Sequence, residues 1–276
     1  MEEKQFKASR VVLNYLEGPD NGPPLLLVHG HGLRWQSWED VLPEFTKRWH
    51  VYAPDLRGHG TSGRMDDGAY VHDDYVADLV EFINRVIGGP TYVVGHSMGG
   101  LIASGVTADP DADVMALVLE DSPFFLLAFG VPDALKHSFE GTRFVIQSSN
   151  TPEQIADGLV KYNLNADPHA AIARGEDLFR VDPAIFTAVL ESDAIPMNEE
   201  AEFLASIQVP TLFMISDPEA GGILGYPGGT AASEMIPSCE VVKISGVGHY
   251  VHRERPAEFV KMVEDFFASV GSKAGV

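Results

Sequence analysis

Six short apolar runs alternate with stretches of helical periodicity along the chain. Each run is predicted to be a buried β-strand; they lie at 25–28, 51–53, 91–94, 117–119, 212–215 and 241–244. Apolar positions 75, 79, 82, 83 and 86 share one helical face, and positions 260, 263, 267 and 270 repeat the pattern. Strands alternating with helices predict an α/β fold with a mostly parallel sheet covered by helices on both faces. An earlier run at 11–16 precedes a Gly-Pro-Asp-Asn-Gly turn and is predicted to be an antiparallel edge strand.

Residues 123–197 interrupt this alternation. They contain helix-like pieces separated by Gly and Pro but no clear buried strand. The expected organisation is therefore a core formed by 1–122 and 198–276, with a helical cap (lid) inserted at 123–197. The apolar stretch 124–129, with Phe139 and Phe144, is expected either to line a pocket or to attach the cap to the core. The same two interpretations apply to Trp35 and Trp38.

The sequence Gly95-His96-Ser97-Met98-Gly99 follows a predicted strand and precedes a predicted helix. This is the context of a G-x-S-x-G turn, in which a serine is lifted above the sheet on a strained backbone. Small residues two positions before and after the serine avoid collision with neighbouring backbone. A glycine-rich strand–helix loop without catalytic function is the alternative, but the flanking elements favour Ser97 as a nucleophile.

Three further segments occur in register with this motif. They are Leu-Val-His-Gly-His-Gly at 27–32, Asp-Leu-Arg-Gly-His-Gly-Thr-Ser at 55–62 and Gly-Val-Gly-His at 246–249. Together the four segments resemble the α/β-hydrolase fold superfamily, in which they carry the oxyanion loop, a structural turn, the nucleophile and the catalytic histidine. The resemblance implies an oxyanion hole formed by the backbone N–H groups of His31 and Met98.

A serine nucleophile needs a base that titrates near neutrality, for which histidine is suited. His249 follows the last predicted strand in a Gly-flanked loop, so we expect it to be the general base. His252, at the start of the last helix, is the rival and is interpreted as a surface or supporting residue. The resemblance implies structural roles for His29 and His59, and His96 is expected to pack beneath the nucleophile.

The third member of a Ser-His-Asp triad is less well defined by sequence. Most members of the family place the acid after the strand predicted at 212–215, where Asp217 comes early for the usual spacing and Glu219 follows a proline. A minority place it one strand earlier, where Asp121 has the expected separation from Ser97. Asp121 is therefore the predicted acid and Asp217 the alternative, with Glu219 and Glu120 less favoured. A helix cap is another interpretation of Asp121.

The amino-acid composition limits the kinds of molecule that this protein is expected to bind. The formal charge is −21, which disfavours nucleic acid and strongly anionic ligands. Cys239 is the only cysteine, so no intrachain disulfide can form. The chain shows no apolar run long enough to span a membrane, no metal-ligand spacing and no nucleotide motif, so no metal, cofactor or membrane association is expected. The polar stretch 1–10 lacks the apolar segment of a secretory signal, and a cytoplasmic location is predicted.

These features predict a serine hydrolase of esterase or lactonase type that cleaves an uncharged, partly apolar ester, lactone or related small acyl substrate. The reaction would pass through an acyl-enzyme. By resemblance, a C–C bond hydrolase or a cofactor-free lyase using the same triad is the alternative. A non-catalytic ligand receptor is less favoured, because Ser97 and His249 are both present.

Overall fold

The computed structural model describes residues 1–124, 126, 130–164, 168–191, 197–225 and 231–274. Within them, eight strands form one sheet in the order β1-β2-β4-β3-β5-β6-β7-β8. Strands β3 to β8 are mutually parallel, whereas β2 is antiparallel to both β1 and β4. All six predicted strands are present, but the predicted burial of the sixth is wrong, because β8 lies at the edge of the sheet and only its last residue is buried. The strands are β1 Glu2–Lys7, β2 Val12–Glu17, β3 Pro24–Val28, β4 His50–Pro54, β5 Thr91–His96, β6 Val114–Glu120, β7 Thr211–Ser216 and β8 Cys239–Ile244.

The predicted edge strand is present as β2, but it is not at the edge. Strand β1 pairs outside it along its whole length, from Glu2 opposite Glu17 to Lys7 opposite Val12. Strand β1 was not predicted because five of its six residues are exposed, so no apolar alternation marks it. Charged residues on an outer strand are common because they discourage further edge-to-edge pairing.

Helices connect the parallel strands, as the alternation predicts. Five of the described helices, α4 to α8, lie between β6 and β7. The first four fall within the predicted cap, whereas α8 begins at its last residue, 197; the boundaries 123 and 197 of that cap stay predictions. The helices are α1 Leu42–Phe45, α2 His72–Phe82, α3 Met98–Ala108, α4 Asp133–Gln147, α5 Pro152–Lys161, α6 Pro168–Phe179, α7 Ala184–Leu190, α8 Met197–Ala205, α9 Ala231–Met235, α10 Val251–Glu254 and α11 Pro256–Ala274.

Two apolar cores lie on opposite faces of the sheet, because successive strand residues point to opposite faces. In β3, Leu26 and Val28 belong to the core formed with α2, α3 and the helices between β6 and β7. Leu25 and Leu27 belong to the other core, which includes the buried face of α11. The sheet is thus buried on both sides, which explains the continuous apolar runs in its parallel strands.

The parallel strands all end at the same edge of the sheet, where ligands bind in open α/β folds. Ser97 directly follows β5, Asp121 directly follows β6 and His249 lies in the loop after β8. This topology brings the predicted chemical groups to one edge. No helix of the described chain combines the length and apolarity needed to cross a membrane.

Candidate active site

Ser97 lies on a sharp turn between β5 and α3. Its backbone angles, φ 54° and ψ −126°, are strained for a residue with a side chain, and its N–H donates to the Glu120 carbonyl at 2.9 Å. The flanking glycines are required by close approach: a Cβ on Gly95 would lie 2.5 Å from the Gly99 oxygen, and one on Gly99 would lie 2.3 Å from the Val28 oxygen. The turn therefore has the geometry expected of a nucleophile elbow.

The loop after β3 runs beside this turn. A Cβ added to Gly30 would lie 3.1 Å from the Ser97 Cβ, so the two backbones are in close contact. Within the described residues, the His31 N–H donates to no other group. Met98 is the first residue of α3, and its N–H therefore has no acceptor inside the helix. Both N–H groups proposed for the oxyanion hole are free to bind a substrate oxygen.

His249 is hydrogen-bonded to Asp121. Its Nδ1 lies 2.6 Å from the Asp121 Oδ2, a short distance typical of a charge-assisted bond. Because an ionised carboxylate only accepts, Nδ1 carries the proton and Nε2 is directed to the proton-transfer role. In the described part of the chain no hydrogen bond joins Ser97 Oγ to His249 Nε2, and neither atom has another hydrogen-bond partner.

Asp121 is held rigidly at the end of β6. It is fully buried and adopts φ 44°, a left-handed conformation that aspartate tolerates better than most residues. Its Oδ1 accepts from the Ser216 N–H at 3.3 Å, and its Oδ2 accepts from the Ile223 N–H at 2.9 Å. These contacts fix the carboxylate against the imidazole, the orienting arrangement of a triad acid.

The other candidate acids lie elsewhere. Asp217 Oδ2 accepts from the Gly246 N–H at 2.7 Å and Oδ1 from the Glu219 N–H at 3.0 Å, and these backbone donors lower the pKa of Asp217. Asp217 thus supports the loop that carries His249 without bonding its ring. The Glu219 side chain is exposed, and Glu120 bonds to His252 instead.

The interpretation of His252 as a surface residue is wrong. Its side chain is fully buried and hydrogen-bonded to Glu120, on the side of the sheet occupied by α11. His29 and His59 hold loops, as the resemblance implies: His29 Nε2 accepts from the Leu56 N–H, and His59 Nε2 accepts from the Gly32 N–H.

A model of the α/β-hydrolase family matches residues 25–262. The chain belongs to this family. A 2-(acetamidomethylene)succinate hydrolase from Mesorhizobium japonicum is 26% identical over 95% of this chain and 94% of that protein. Human monoacylglycerol lipase ABHD6 is 24% identical over 91% of this chain and 77% of that protein. The solved structure of the esterase RhEst1 from Rhodococcus sp. ECU1013 has a TM-score of 0.79 at 22% identity, covering 98% of this chain and 100% of that one, and thus shares the fold.

Aromatic residues between β6 and β7 cover the oxyanion loop of this α/β hydrolase. The His31 ring stacks on Phe139 with centroids 5.1 Å apart and meets Phe186 edge-to-face at 4.6 Å. Burial lowers the pKa of His31 far below that of a free imidazole, which keeps the ring neutral. Phe139 thus lies near the site, whereas Phe144 is half exposed and contacts Tyr162.

Of the other aromatic residues expected either to line a pocket or to pack in the core, those described lie in the core or beside it. Phe124 is buried and packs edge-to-face against Phe213 at 5.6 Å, so it belongs to the core. Residues 125 and 127–129 of the predicted apolar stretch lie outside the described residues. Trp38 is fully buried against His252 and Phe259 and is also a core residue. Trp35 lies beside that core and donates its backbone N–H to Oδ1 of the buried Asp55 at 2.8 Å.

Arg174 of α6 was missed by sequence analysis. Its guanidinium donates to the carbonyl oxygens of Gly32 and His31, directly behind the proposed oxyanion donor. On the same helix, Asp177 accepts from Arg34 Nε at 2.8 Å. These contacts tie α6 to the oxyanion loop. No local pattern in the sequence marks an arginine for such a contact, because the loop lies more than a hundred residues away.

One group of side chains in the described chain has the donor types of a metal site: His96, Glu120 and His252, with donor atoms within 4.8 Å of one another. Hydrogen bonds use the Glu120 carboxylate and one ring nitrogen of each histidine, whereas His96 Nδ1 and His252 Nε2 have no partner among the described residues. His252 Nδ1 donates to Glu120, and His96 Nε2 lies 2.9 Å from the His249 carbonyl oxygen. The arrangement is explained as a hydrogen-bonded cluster beneath His249.

Proposed function

We propose that this α/β hydrolase cleaves an ester, lactone or related small acyl substrate with Ser97 as nucleophile, His249 as general base and Asp121 as the orienting acid. Ser97 Oγ attacks the carbonyl carbon while His249 Nε2 accepts the hydroxyl proton. The His31 and Met98 N–H groups stabilise the oxyanion. His249 returns the proton to the leaving group, and water, activated by the same imidazole, then hydrolyses the acyl-enzyme.

The short bond between His249 Nδ1 and Asp121 Oδ2 carries the proposal. It fixes the tautomer that leaves Nε2 unprotonated and stabilises the imidazolium formed during attack. A retired hydrolase used as a receptor would not require this tautomer together with a strained serine and two free N–H donors.

The substrate class rests on the surroundings of the site. His31, Phe139 and Phe186 present a largely apolar, uncharged surface beside the oxyanion loop. The net charge of −21 favours uncharged substrates over strongly anionic ones. The relatives named above are a monoacylglycerol lipase and a 2-(acetamidomethylene)succinate hydrolase; the first name supports an ester substrate, whereas the second names a substrate that carries a succinate group.

A fluorophosphonate tests the nucleophile without knowledge of the substrate. We expect covalent labelling of the wild-type protein at Ser97, identified by peptide mass, and no labelling of Ser97→Ala. Absence of labelling of folded wild-type protein would contradict the proposal and favour a receptor. A panel of aryl esters, lactones, amides and a diketone with a hydrolysable C–C bond then identifies the bond cleaved.

Two isosteric variants test the acid. Asp121→Asn is expected to lower kcat by up to about 10⁴-fold, because the amide cannot hold the imidazole in the required tautomer. Asp217→Asn is the matched control; it keeps an oxygen for the Gly246 N–H and should lose less than about tenfold, since its contact to the loop is indirect. If Asp217→Asn were the more damaging change, the assignment of Asp121 would be wrong.

A further inference from the structure

A second carboxylate–imidazole pair lies beneath the first. His252 Nδ1 is 2.8 Å from both carboxylate oxygens of Glu120, and the His252 backbone N–H donates to Glu120 Oε1 at 2.9 Å. Both side chains are completely buried. Glu120, the last residue of β6, thus bonds to His252, and the next residue, Asp121, bonds to His249, three positions before His252.

Stability alone gives a weak reason for this second pair. Removing two polar groups from water carries a large desolvation penalty, and apolar residues of similar volume often serve a core as well or better. The His252 ring of the pair packs against Trp38 and Phe259, and apolar side chains in place of the pair would suit these neighbours. The presence of a buried carboxylate–imidazole pair among apolar neighbours therefore indicates that the pair fixes the relative position of the two segments it joins.

The contacts of Glu120 identify that requirement. Its carbonyl oxygen accepts the Ser97 N–H at 2.9 Å, while its carboxylate holds the residue three positions after His249. The same residue thus binds the nucleophile turn through its main chain and the histidine loop through its side chain.

His96 adds a third contact between these segments. Its Nε2 donates to the His249 carbonyl at 2.9 Å, since a carbonyl can only accept. Its ring lies between those of His249, at 4.6 Å, and His252, at 5.0 Å. Both the ring and the main chain of His249 are therefore fixed relative to the strand ends that carry Ser97 and Asp121.

We propose that Glu120 and His252 are positioning residues that hold the His249 imidazole in register with Ser97. This inference rests on the proposed function, because it assigns their effect to the base of that reaction. Loss of the pair should leave substrate binding intact and slow the chemical step, since small displacements of a reacting group can reduce the rate by about 10²-fold.

The decisive variant replaces the pair with apolar residues, Glu120→Met together with His252→Phe. The backbone N–H of residue 252 loses its acceptor, so a modest fall in melting temperature is expected. In fluorophosphonate labelling, the maximal rate of inactivation should fall at least about tenfold while the concentration for half-maximal rate stays within about twofold. The matched control removes a remote carboxylate–imidazole pair, Glu17→Met with His50→Phe, and should label at the wild-type rate.

A folded double variant that labels at the wild-type rate would overturn the inference. If it does not fold, Glu120→Gln decides, because it preserves shape and an oxygen acceptor but weakens the bond to Nδ1. We then expect a smaller fall in labelling rate, and an unchanged rate would refute the positioning role.

Proton NMR reports directly on the hydrogen bond between His249 and Asp121, which a change in overall stability alone would not alter in the folded protein. The bridging proton between His249 Nδ1 and Asp121 should give a far-downfield resonance, which should shift or broaden in Glu120→Gln. If the fluorophosphonate does not label the wild-type protein, the proposed function is contradicted. The NMR comparison still tests the positioning role in that case: a resonance that changes in Glu120→Gln supports it, and an unchanged resonance refutes it.

Discussion

Acidification should destabilise this protein through four histidines whose pKa values are lowered by burial. His29, His59 and His96 are at most 1% exposed. Burial lowers the pKa of His29 to about 4 and the pKa values of His59 and His96 well below the ordinary value. Protonation would also remove the Nε2 acceptors that hold the Leu56 and Gly32 N–H groups.

The sign of the effect follows from these depressed pKa values. Above about pH 6.5 the imidazoles are neutral in both states, so their neutral contacts contribute fully to stability. As the pH falls below 6.5, the unfolded chain binds protons that the folded protein does not. Each such histidine lowers the free energy of unfolding by about 1.9 kcal/mol between pH 7 and pH 5; with His31, whose pKa burial also lowers, the four lower it by about 7–8 kcal/mol. This loss is comparable to the whole stability of many domains, about 5–15 kcal/mol.

Buried carboxylates act in the opposite direction at lower pH. Burial raises the pKa values of Asp55 and Asp78, so the folded protein takes up these protons first and gains stability as they bind. The test is therefore confined to pH 5–7. Urea unfolding followed by circular dichroism at several pH values gives the slope directly.

The expected slope below pH 6 corresponds to about four protons taken up on unfolding. A free energy of unfolding that changed by less than about 1 kcal/mol between pH 7 and pH 5 would refute the reasoning.

Three further predictions concern the core and the loops. Gly99→Ala places a Cβ 2.3 Å from a carbonyl oxygen of β3 and should destabilise the protein by about 1–3 kcal/mol in urea unfolding; an unchanged midpoint would contradict the close approach. Asp78→Asn weakens the buried pair with Arg57, whose Nε lies 2.6 Å from Asp78 Oδ2, and should lower the melting temperature by an amount equivalent to about 3–5 kcal/mol. Arg174→Ala removes the contacts behind the oxyanion loop and should slow fluorophosphonate labelling about tenfold, whereas the exposed Arg180→Ala should not.

The local sequence was sufficient to predict most of the strands and the nucleophile turn of the core. The parallel strands β3 to β7 were predicted because a strand buried on both faces must be apolar at nearly every position; β8 was predicted from its apolar residues, although it lies at the edge of the sheet and only Ile244 in it is buried. The elbow at Ser97 was predicted because its turn demands small residues at fixed offsets, a requirement visible within five residues. Strand β1 was missed because an exposed edge strand of charged residues lacks both signals.

The partners of the acids were decided by tertiary structure alone. Asp121 and Asp217 each follow an apolar strand and precede a proline-containing turn, and only the spacing implied by the family resemblance favoured Asp121. Their contacts differ because the carboxylate of Asp121 reaches the His249 ring, 128 positions away, while that of Asp217 reaches the backbone of the same loop. Likewise, Glu120 and His252 meet only because β6 and the histidine loop come together at one edge of the sheet. The types and spacing of residues specify the strands and turns, whereas contacts between distant side chains depend on strand order and packing, which no short segment encodes.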